Sequence, residues 1–323
     1  MNVLVTGAGG FLGSHLTESL VEKGFNVKAL MHYDSNNNWG WLENSKYKDQ
    51  IEFIVGDIRD FDSVFSAMKG IDEVFHLAAL IGIPYSYVSP LAYIKTNIEG
   101  TYNVLQSAKL LNTKNIIITS TSETYGTAQF VPITEKHPIV GQSPYSATKI
   151  SADNLAASFF RSFDLPVKIV RPFNIYGPRQ SARAIIPTIG IQVLNGLNKI
   201  KLGNLDAKRD LTFVKDTVEG FIEISKQQKF NGESVNIGMN EEISIKQLVE
   251  KISEILGEEI EITTDLQRIR PEKSEVDRLM CDNTKLIKNT QWKPKYNLDT
   301  GLEETLNWLK DNKSLFKYNI YNK

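Results

Sequence analysis

The chain has 323 residues, of which 37 are lysine or arginine and 38 are aspartate or glutamate, so its charge is nearly balanced. This balance gives no reason to expect binding to nucleic acid or to a membrane surface, both of which require clustered basic residues. The single cysteine, Cys281, excludes a disulfide framework within the chain and a zinc site built from several cysteines. The four histidines lack the spacing of metal ligands, so we predict no metal.

Neither a membrane helix nor a secretory signal is predicted. No apolar run approaches the ~20 residues that a membrane-spanning helix needs. At the N-terminus, Asn2 leads directly into a strand-like run without a basic region or a cleavage site. We therefore expect a cytoplasmic protein.

In chain order, short runs rich in valine and isoleucine alternate with helix-length segments. The predicted strands are 3–6, 26–31, 51–55, 73–77, 115–119 and 167–171, and the predicted helices are 11–23, 62–69, 90–111 and 145–163. This alternation predicts a Rossmann-type, doubly wound α/β fold with a parallel sheet covered on both faces. We place this dinucleotide-binding domain at residues 1–171.

The second half of the chain has a different pattern. A helix is predicted at 244–256, with Ser244 and Gln247 as a capping box, between strand-like segments at 234–237 and 259–262. We predict that residues 172–323 form a smaller C-terminal α/β substrate-binding lobe, with part of the chain crossing back to the first domain.

A glycine-rich loop follows the first predicted strand. Gly7, Gly10 and Gly13 are spaced so that the backbone can turn tightly, approach a pyrophosphate and pack against the following helix. The first amides of that helix, at Phe11 and Leu12, would face the anion. After the second strand, the ribose position holds Met31 or His32, and the acid comes late, at Asp34. The choice between NAD and NADP is therefore left open.

Two further groups of residues predict chemistry at the site. Tyr145 and Lys149 lie four residues apart on one helix face, where the ammonium would lower the pKa of the phenol and make it a general base. Directly after the fifth strand come Thr121, Ser122 and Glu123, at the edge of the sheet where functional groups gather. Hydride transfer alone needs no carboxylate, whereas Glu123 could take a proton from a carbon next to a ketone.

These motifs resemble those of the extended short-chain dehydrogenase/reductase family of nucleotide-sugar enzymes. The likeness covers essentially the whole chain and includes, besides the groups above, residues 56–58, 77–79, 96–97, 171–178, 208–210, 236–238 and 270–272. Within the family, the chain is most similar to LegB-type NAD-dependent 4,6-dehydratases, which act on nucleotide-linked N-acetylglucosamine. The stretches that carry this closer likeness are 36–42, 78–87, 120–134, 181–188 and 270–275.

The resemblance implies a mechanism. Tyr145 takes the proton of the C4 hydroxyl, Lys149 lowers the tyrosine pKa and holds the ribose, and Thr121 positions the C4 oxygen. Glu123 then takes the C5 proton, water leaves from C6, and the product is a 4-keto-6-deoxy sugar nucleotide with C5 retained. Ser122 stands where glucose-type relatives have an aspartic acid, so the proton for the leaving hydroxyl comes from Glu123 or a water.

The resemblance also implies the ligand contacts. NAD is the expected cofactor, with NADP not excluded, held by the glycine loop and by His32, Asp57, Ile58, Leu77, Ala78, Ala79, Asn97, Tyr145 and Lys149. The nucleotide sugar, a UDP or GDP derivative, is expected to contact Thr121, Asn174, Lys201, Leu202, Arg209 and Arg270. The helices at 90–111 and 145–163 form a homodimer interface in this family.

Two alternatives stay open at this point. A nucleotide-sugar 4-epimerase would need Thr121, Tyr145 and Lys149 but not Glu123. A dinucleotide sensor without catalysis is compatible with the fold, but the chain keeps both Tyr145 and Lys149, which such a sensor does not need.

Overall fold

A computed structural model describes residues 1–320 of the chain. Its strands are β1 (Asn2–Thr6), β2 (Asn26–Met31), β3 (Ile51–Val55), β4 (Glu73–His76), β5 (Asn115–Thr119), β6 (Val167–Pro172), β7 (Asn174–Tyr176), β8 (Lys199–Leu202), β9 (Lys208–Arg209), β10 (Leu211–Phe213), β11 (Ser234–Ile237), β12 (Ile243–Ser244) and β13 (Glu261–Thr264). Its α-helices are α1 (Phe11–Glu22), α2 (Phe61–Ala67), α3 (Ile83–Val88), α4 (Pro90–Tyr93), α5 (Gly100–Leu111), α6 (Pro144–Phe163), α7 (Ile185–Leu194), α8 (Val214–Ser225), α9 (Ile245–Leu256), α10 (Thr284–Asn289) and α11 (Leu298–Asp311).

Seven parallel strands form the central sheet in the order β3-β2-β1-β4-β5-β6-β11. The predicted Rossmann-type, doubly wound α/β fold is confirmed. The strand order reverses between β1 and β4, and in such sheets a ligand crevice opens at this point, beyond the carboxyl ends of the strands.

Both faces of the sheet are buried, as the apolar strands predict. In β1, Val3 and Val5 point to a core shared with α1 and α8, whereas Leu4 between them points to a core shared with α2, α5 and α6. Side chains alternate between faces along a strand, so a strand covered on both sides is apolar at every position.

The predicted boundaries are close to the observed ones in the first half. The six predicted strands there begin and end within one residue of their observed bounds. The helix predicted at 90–111 is continuous but contains a π-helical segment, Ile94–Glu99, between α4 and α5. In the second half, α9 begins at the Ser244–Gln247 capping box as predicted, while the strand predicted at 259–262 lies at Glu261–Thr264.

The smaller lobe is built on paired strands rather than on a continuous sheet. Its two-stranded sheets are β7–β10, β9–β12 and β8–β13, and its core lies among α7, α9 and α11. Two elements of the second half of the chain belong to the central sheet instead: α8 packs on α1, and β11 is the last strand of the sheet. The division at residue 171 stays a prediction, and residues 321–323 of the predicted lobe lie outside the described part.

Two absences concern residues 1–320. No helix in this range is long and apolar enough to cross a membrane. Within the same range, no three or more His, Cys, Asp or Glu side chains form a group that could hold a metal ion.

Candidate active site

A cleft of about 1900 Å³ lies along the carboxyl edge of the central sheet. The sheet side of the cleft contains the glycine loop and the segments after β2 to β5, and the other side contains parts of 172–184 and Arg270. The predicted site residues that line it are Gly7, Gly10, Phe11, Leu12, Gly13, His32, Asp57, Ile58, Leu77, Ala78, Ala79, Thr121, Ser122, Glu123, Tyr145, Asn174 and Arg270.

The glycine loop leaves room and free amides for an anion. Gly7 has φ of +72°, and a Cβ there would lie 2.8 Å from the amide nitrogen of Ala78. A Cβ on Gly13 would lie 2.1 Å from the carbonyl oxygen of Gly7, so any side chain would push helix α1 off the loop. No acceptor within residues 1–320 takes the amide protons of Phe11, Leu12 or Gly13. This helix start could therefore hold a pyrophosphate.

An acidic group, Asp57, lines the cleft after β3. The Asp57 carboxylate receives three hydrogen bonds from the Arg59 guanidinium, one of them 2.5 Å long. Its Oδ2 lies 3.6 Å from Nε2 of His32. The hydrogen bonds from Arg59 lower the pKa of Asp57 to about 2. The carboxylate is thus ionised and could accept hydrogen bonds from a nucleoside, while the predicted His32 is exposed beside it.

A buried polar chain holds the loop after β4. The Thr6 hydroxyl oxygen accepts hydrogen bonds from the amides of Leu77 and Ala78, both at 3.1 Å, and it lies 2.8 Å from Nδ1 of His76. Burial lowers the pKa of His76 to about 3, so the imidazole is neutral. His76 therefore helps to hold this loop through its contact with Thr6.

Asn97 supports the same loop from behind. Its side-chain amide accepts a hydrogen bond from the Leu80 amide at 2.9 Å and donates to the Leu80 carbonyl at 3.0 Å. It also donates to the Thr148 hydroxyl at 3.1 Å and is almost fully buried. In the structure Asn97 therefore orients the cleft wall and does not itself line the cleft.

The predicted catalytic pair, Tyr145 and Lys149, lies at the start of α6. The helix begins with a capping box between Ser143 and Ser146, which sets its first turn against the cleft. The Tyr145 phenol is hydrogen-bonded to the Thr121 hydroxyl, and Nζ of Lys149 donates to the Thr119 carbonyl at 2.5 Å. Tyr145 lines the cleft, and Lys149 lies behind it in the protein interior.

The electrostatics of this pair differ from the sequence expectation. Burial raises the pKa of Tyr145, and the Glu123 carboxylate acts in the same direction against the hydrogen bond from Thr121. Burial also lowers the pKa of Lys149, to about 8. The expected lowering of the tyrosine pKa is thus not a property of the chain by itself, because desolvation of the phenolate outweighs the cation at this depth.

Glu123 is placed by a short helical turn. Thr121 caps the turn Ser122–Tyr125, and its hydroxyl oxygen accepts a hydrogen bond from the Glu123 amide at 3.2 Å. Ser122 is buried, whereas Glu123 is half-buried and opens into the cleft. The same hydroxyl therefore fixes both the Tyr145 phenol and the turn that carries the carboxylate.

Three side chains on the lobe side of the cleft have a buried polar atom without a hydrogen-bond partner within residues 1–320: Arg270, Asn174 and Gln180. Nη1 of Arg270 and Oδ1 of Asn174 are both buried, and nothing in residues 1–320 pairs with them by a hydrogen bond. Nη1 of Arg270 has Oε1 of Glu275 at 3.9 Å, and the same oxygen lies 3.4 Å from Nη2 of Arg209. A buried polar atom without a partner is costly, so these atoms mark a place for a polar ligand.

The remaining predicted contacts lie elsewhere. Arg209 lines a separate, smaller cavity of about 620 Å³, and its guanidinium reaches back towards the charges of Glu123 and Arg270. Lys201 and Leu202 lie on β8 next to β13 and do not line the main cleft.

Several lining residues carry no role in the sequence analysis. They are Trp41, Arg59, Gln180, Arg183, Leu315 and Phe316. The amide of Trp41 donates to the Gly9 carbonyl at 3.0 Å, and its ring meets that of Trp308 at 5.3 Å, so the 39–41 turn ties the glycine loop to α11. The stretches 36–42 and 181–188 were the available signals, because both belong to the closer family likeness.

Comparisons with known proteins agree with this architecture. The GDP-mannose 4,6 dehydratase family matches residues 4–305. The UDP-N-acetyl-alpha-D-glucosaminuronate decarboxylase of Bacillus cytotoxicus is 32% identical, covering 95% of this chain and 97% of its own.

Solved structures with the same fold include two further activities. A dTDP-glucose 4,6-dehydratase from Streptomyces venezuelae with NAD bound has a TM-score of 0.88 at 27% identity, over 98% of this chain and 99% of its own. The UDP-glucuronic acid 4-epimerase of Bacillus cereus, in complex with UDP-glucuronic acid and NAD, has a TM-score of 0.87 at 28% identity, over 97% and 100%. Similarity therefore extends to dehydratases, epimerases and decarboxylases. On the match over residues 4–305, the chain belongs to the GDP-mannose 4,6-dehydratase family of extended short-chain dehydrogenases/reductases.

Proposed function

We propose that the chain is a nucleotide-sugar 4,6-dehydratase that converts UDP-N-acetylglucosamine, or its GDP analogue, to the 4-keto-6-deoxy sugar with retention at C5. The observation that carries this proposal is the Glu123 carboxylate, which opens into the cleft on the turn capped by Thr121 and acts electrostatically on Tyr145. Removal of a proton from C5 requires a base at this place, and simple hydride transfer does not.

The cofactor of this proposal is NAD, and the residues present fit it. The space above Gly7 and Gly13 and the free amides of α1 would hold the pyrophosphate, and the ionised Asp57 would hold the nucleoside. Bound here, NAD would supply the acceptor for a hydride from C4 of the sugar and the donor of that hydride to C6.

The chain's own residues act first on the C4 hydroxyl. Thr121 orients the C4 oxygen, and Tyr145 takes its proton as the C4 hydrogen leaves with its electron pair. Because burial raises the pKa of Tyr145, the phenolate needs a nearby positive charge, which Lys149 and the nicotinamide ring together would provide.

The second stage belongs to Glu123. A ketone at C4 makes the C5 hydrogen acidic, and the Glu123 carboxylate takes this proton. Glu123 then returns a proton to the C6 hydroxyl, which leaves as water, and C5 regains a proton from solvent or from Tyr145 after the hydride reaches C6. Ser122 is buried and lacks a titratable proton, so it donates nothing to the leaving hydroxyl.

The diphosphate would lie on the lobe side of the cleft. Arg270 offers an unpaired Nη1, and arginine can fork onto two phosphate oxygens. Asn174 offers an unpaired Oδ1 that can accept a hydrogen bond from the sugar. Lys201, Leu202 and Arg209 do not line this cleft, and their contacts with the substrate stay predictions.

A 4-epimerase is the second candidate, favoured by the similarity to the Bacillus cereus epimerase. It would use Thr121, Tyr145 and Lys149 in the same way, with no step for Glu123.

The predicted homodimer does not depend on whether the chain is a dehydratase or an epimerase. Exposed apolar side chains on the two helices expected at its interface support it: Leu91, Ile94, Tyr102, Leu110 and Phe163.

The test is a product analysis in deuterated water. The purified chain is incubated with UDP-N-acetylglucosamine and a catalytic amount of NAD, without added reductant, and the product is examined by mass spectrometry and NMR. We expect a product that has lost one water and that carries one deuterium at C5. A product of unchanged mass inverted at C4 would instead establish the epimerase.

Two further substrates complete the test. GDP-N-acetylglucosamine replaces the UDP sugar if the latter is not turned over. UDP-N-acetylglucosaminuronic acid tests for the decarboxylase activity of the Bacillus cytotoxicus relative. Release of carbon dioxide from this acid, without water loss from either neutral sugar, would refute the dehydratase proposal.

A further inference from the structure

Three consecutive residues at the carboxyl end of β5, from Thr119 to Thr121, contact three residues of α6 that lie successive turns apart. The Thr119 carbonyl accepts a hydrogen bond from Lys149, and the Thr121 hydroxyl is bonded to the Tyr145 phenol. The middle residue, Ser120, donates from its hydroxyl to Oδ2 of Asp153 at 2.8 Å. Because helix residues i, i+4 and i+8 share one face, this side of α6 is joined to the sheet edge at three successive points.

Asp153 is anchored a second time by the neighbouring strand. Nε of Arg171 on β6 donates to the same Oδ2 at 3.0 Å, and Nη2 of Arg171 forms an ion pair with it at 2.9 Å. Both side chains are almost completely buried, and Nη1 of Arg171 donates to the Tyr125 hydroxyl at 3.0 Å. A buried ion pair of this quality is costly to form, which points to a role in geometry beyond stability.

The second carboxylate oxygen of Asp153 is the unusual feature. Oδ1 is buried and has no hydrogen-bond partner within residues 1–320. Asp153 is the one charged group that raises the pKa of Lys149, whereas burial lowers it. Asp153 on α6 and His76 on β4 interact electrostatically with Lys149. Arg171 on β6 pairs with Asp153, and Glu123 on the turn after β5 acts on Tyr145, which lies four residues before Lys149.

We propose that Asp153, held by Ser120 and Arg171, is a positioning residue that keeps Lys149 charged and keeps the 119–121 segment in register with α6. This inference rests on the proposed function only in that Tyr145 and Lys149 carry the chemistry, a requirement that the dehydratase and the epimerase share. Asp153 touches neither cofactor nor substrate in this scheme and acts through Lys149 and Thr121.

The first test needs no substrate. The Lys149 ammonium is titrated by NMR in protein with isotope-labelled lysine, and its signal is identified by its loss in Lys149→Arg. Wild-type Lys149 should titrate near pH 8, and Asp153→Asn should move this titration down by about one pH unit, as expected when an opposite charge a few ångströms away is removed. An unchanged titration in Asp153→Asn would overturn the inference.

A matched control breaks a buried acid elsewhere in the sheet. Glu73 on β4 is buried, receives a hydrogen bond from Asn115 at 2.7 Å and lies near Lys168 at the opposite, amino edge of the sheet. Glu73→Gln should lower thermal stability while leaving the Lys149 titration where it is. If Glu73→Gln shifted the Lys149 titration as much as Asp153→Asn does, the shift would reflect a general loss of stability. That result would overturn the inference.

The second test measures turnover with whichever nucleotide sugar proves to be the substrate. Lys149 loses its positive charge as pH rises, so Asp153→Asn should shift the alkaline limb of the pH profile of kcat to lower pH. Ser120→Ala keeps the ion pair and serves if Asp153→Asn does not fold. Ser120→Ala should lower kcat about tenfold, because the reacting groups are slightly misplaced, while KM and the affinity for NAD stay unchanged. Ser120→Thr, which keeps the hydroxyl, should restore most of the lost kcat.

The outcomes separate the two proposals. Equal kcat values for Ser120→Ala and wild type would overturn the positioning role. Absence of turnover with every sugar would count against the proposed function alone, since the Lys149 titration stands without it.

Discussion

The two sides of the cleft are constructed differently. One side is the carboxyl edge of the seven-stranded sheet, where parallel strands that all end on one edge bring Gly7, Ala78 and Thr121 together. The other side consists of loops from a lobe whose strands pair only two by two. On the sheet side, internal hydrogen bonds such as those of Thr6 hold the loops in place, although the first amides of α1 and the Thr119 hydroxyl have no partner within residues 1–320. On the lobe side, Asn174 and Arg270 keep polar atoms without hydrogen-bond partners.

The sheet side of the cleft is therefore preorganised, whereas the lobe side is completed by a bound ligand. The sheet side has its donors and acceptors in place before any ligand binds, which suits the chemical step. The lobe side gains its missing hydrogen bonds only from a bound molecule, which suits recognition. Variants on the sheet side should therefore change kcat, and variants on the lobe side should change KM.

The largest effect is expected at Tyr145. Tyr145→Phe removes the proton acceptor for the C4 hydroxyl and should lower kcat about 10³-fold, the range of a lost general base. NAD affinity should be unaffected, because the phenol is only one of many cofactor contacts. Initial rates and calorimetric titration with NAD measure the two quantities, and a kcat within tenfold of wild type would remove Tyr145 from the chemistry.

The second-largest effect is expected for Glu123→Gln, which should separate oxidation at C4 from the loss of water. Oxidation at C4 does not involve the carboxylate, so single-turnover absorbance of the reduced nicotinamide should still appear. Loss of water should fall about 10²-fold because the base for C5 is missing. Full turnover of the natural substrate by this variant would favour the epimerase.

On the lobe side, Arg270→Ala should raise KM for the nucleotide sugar about tenfold or more with little change in kcat, because one charge-assisted hydrogen bond is lost. Lys201→Ala is the matched comparison, since the sequence predicts a base contact that the structure does not place in the cleft. Equal increases in KM for both variants would show that the lobe closes on the ligand.

The smallest effect concerns stability and pH. The pKa of Asp57 is lowered from 3.8 to about 2 by Arg59, so the pair stabilises the folded state above about pH 4 and this contribution is lost as pH falls towards 2. The wild-type melting temperature should therefore exceed that of Asp57→Asn slightly at pH 7, and the difference should vanish by pH 2. Thermal unfolding followed by circular dichroism at both pH values measures it, and an unchanged difference at low pH would contradict this assignment.

The cofactor side of the site could be predicted from the sequence because its signals are local. Gly7, Gly10 and Gly13 follow one strand, Thr121 to Glu123 follow another, and the Tyr145–Lys149 spacing lies within one helix. The strand topology then brings these segments to one edge without further information. The lobe contacts were harder, because Lys201, Arg209 and Arg270 come from separate strands and loops whose mutual placement no short-range pattern encodes.

The sequence by itself therefore determined the fold class, most strand boundaries and the set of residues at the sheet edge, since period and spacing are properties of neighbouring residues. Only the tertiary structure decided which of these face the cleft: Asn97 is turned to support Leu80, and Lys201 lies on β8 away from it. It also decided the charge states, because the pKa values of Tyr145, Lys149 and His76 follow from burial. Burial is produced by packing of segments distant in the chain, and no local pattern contains it.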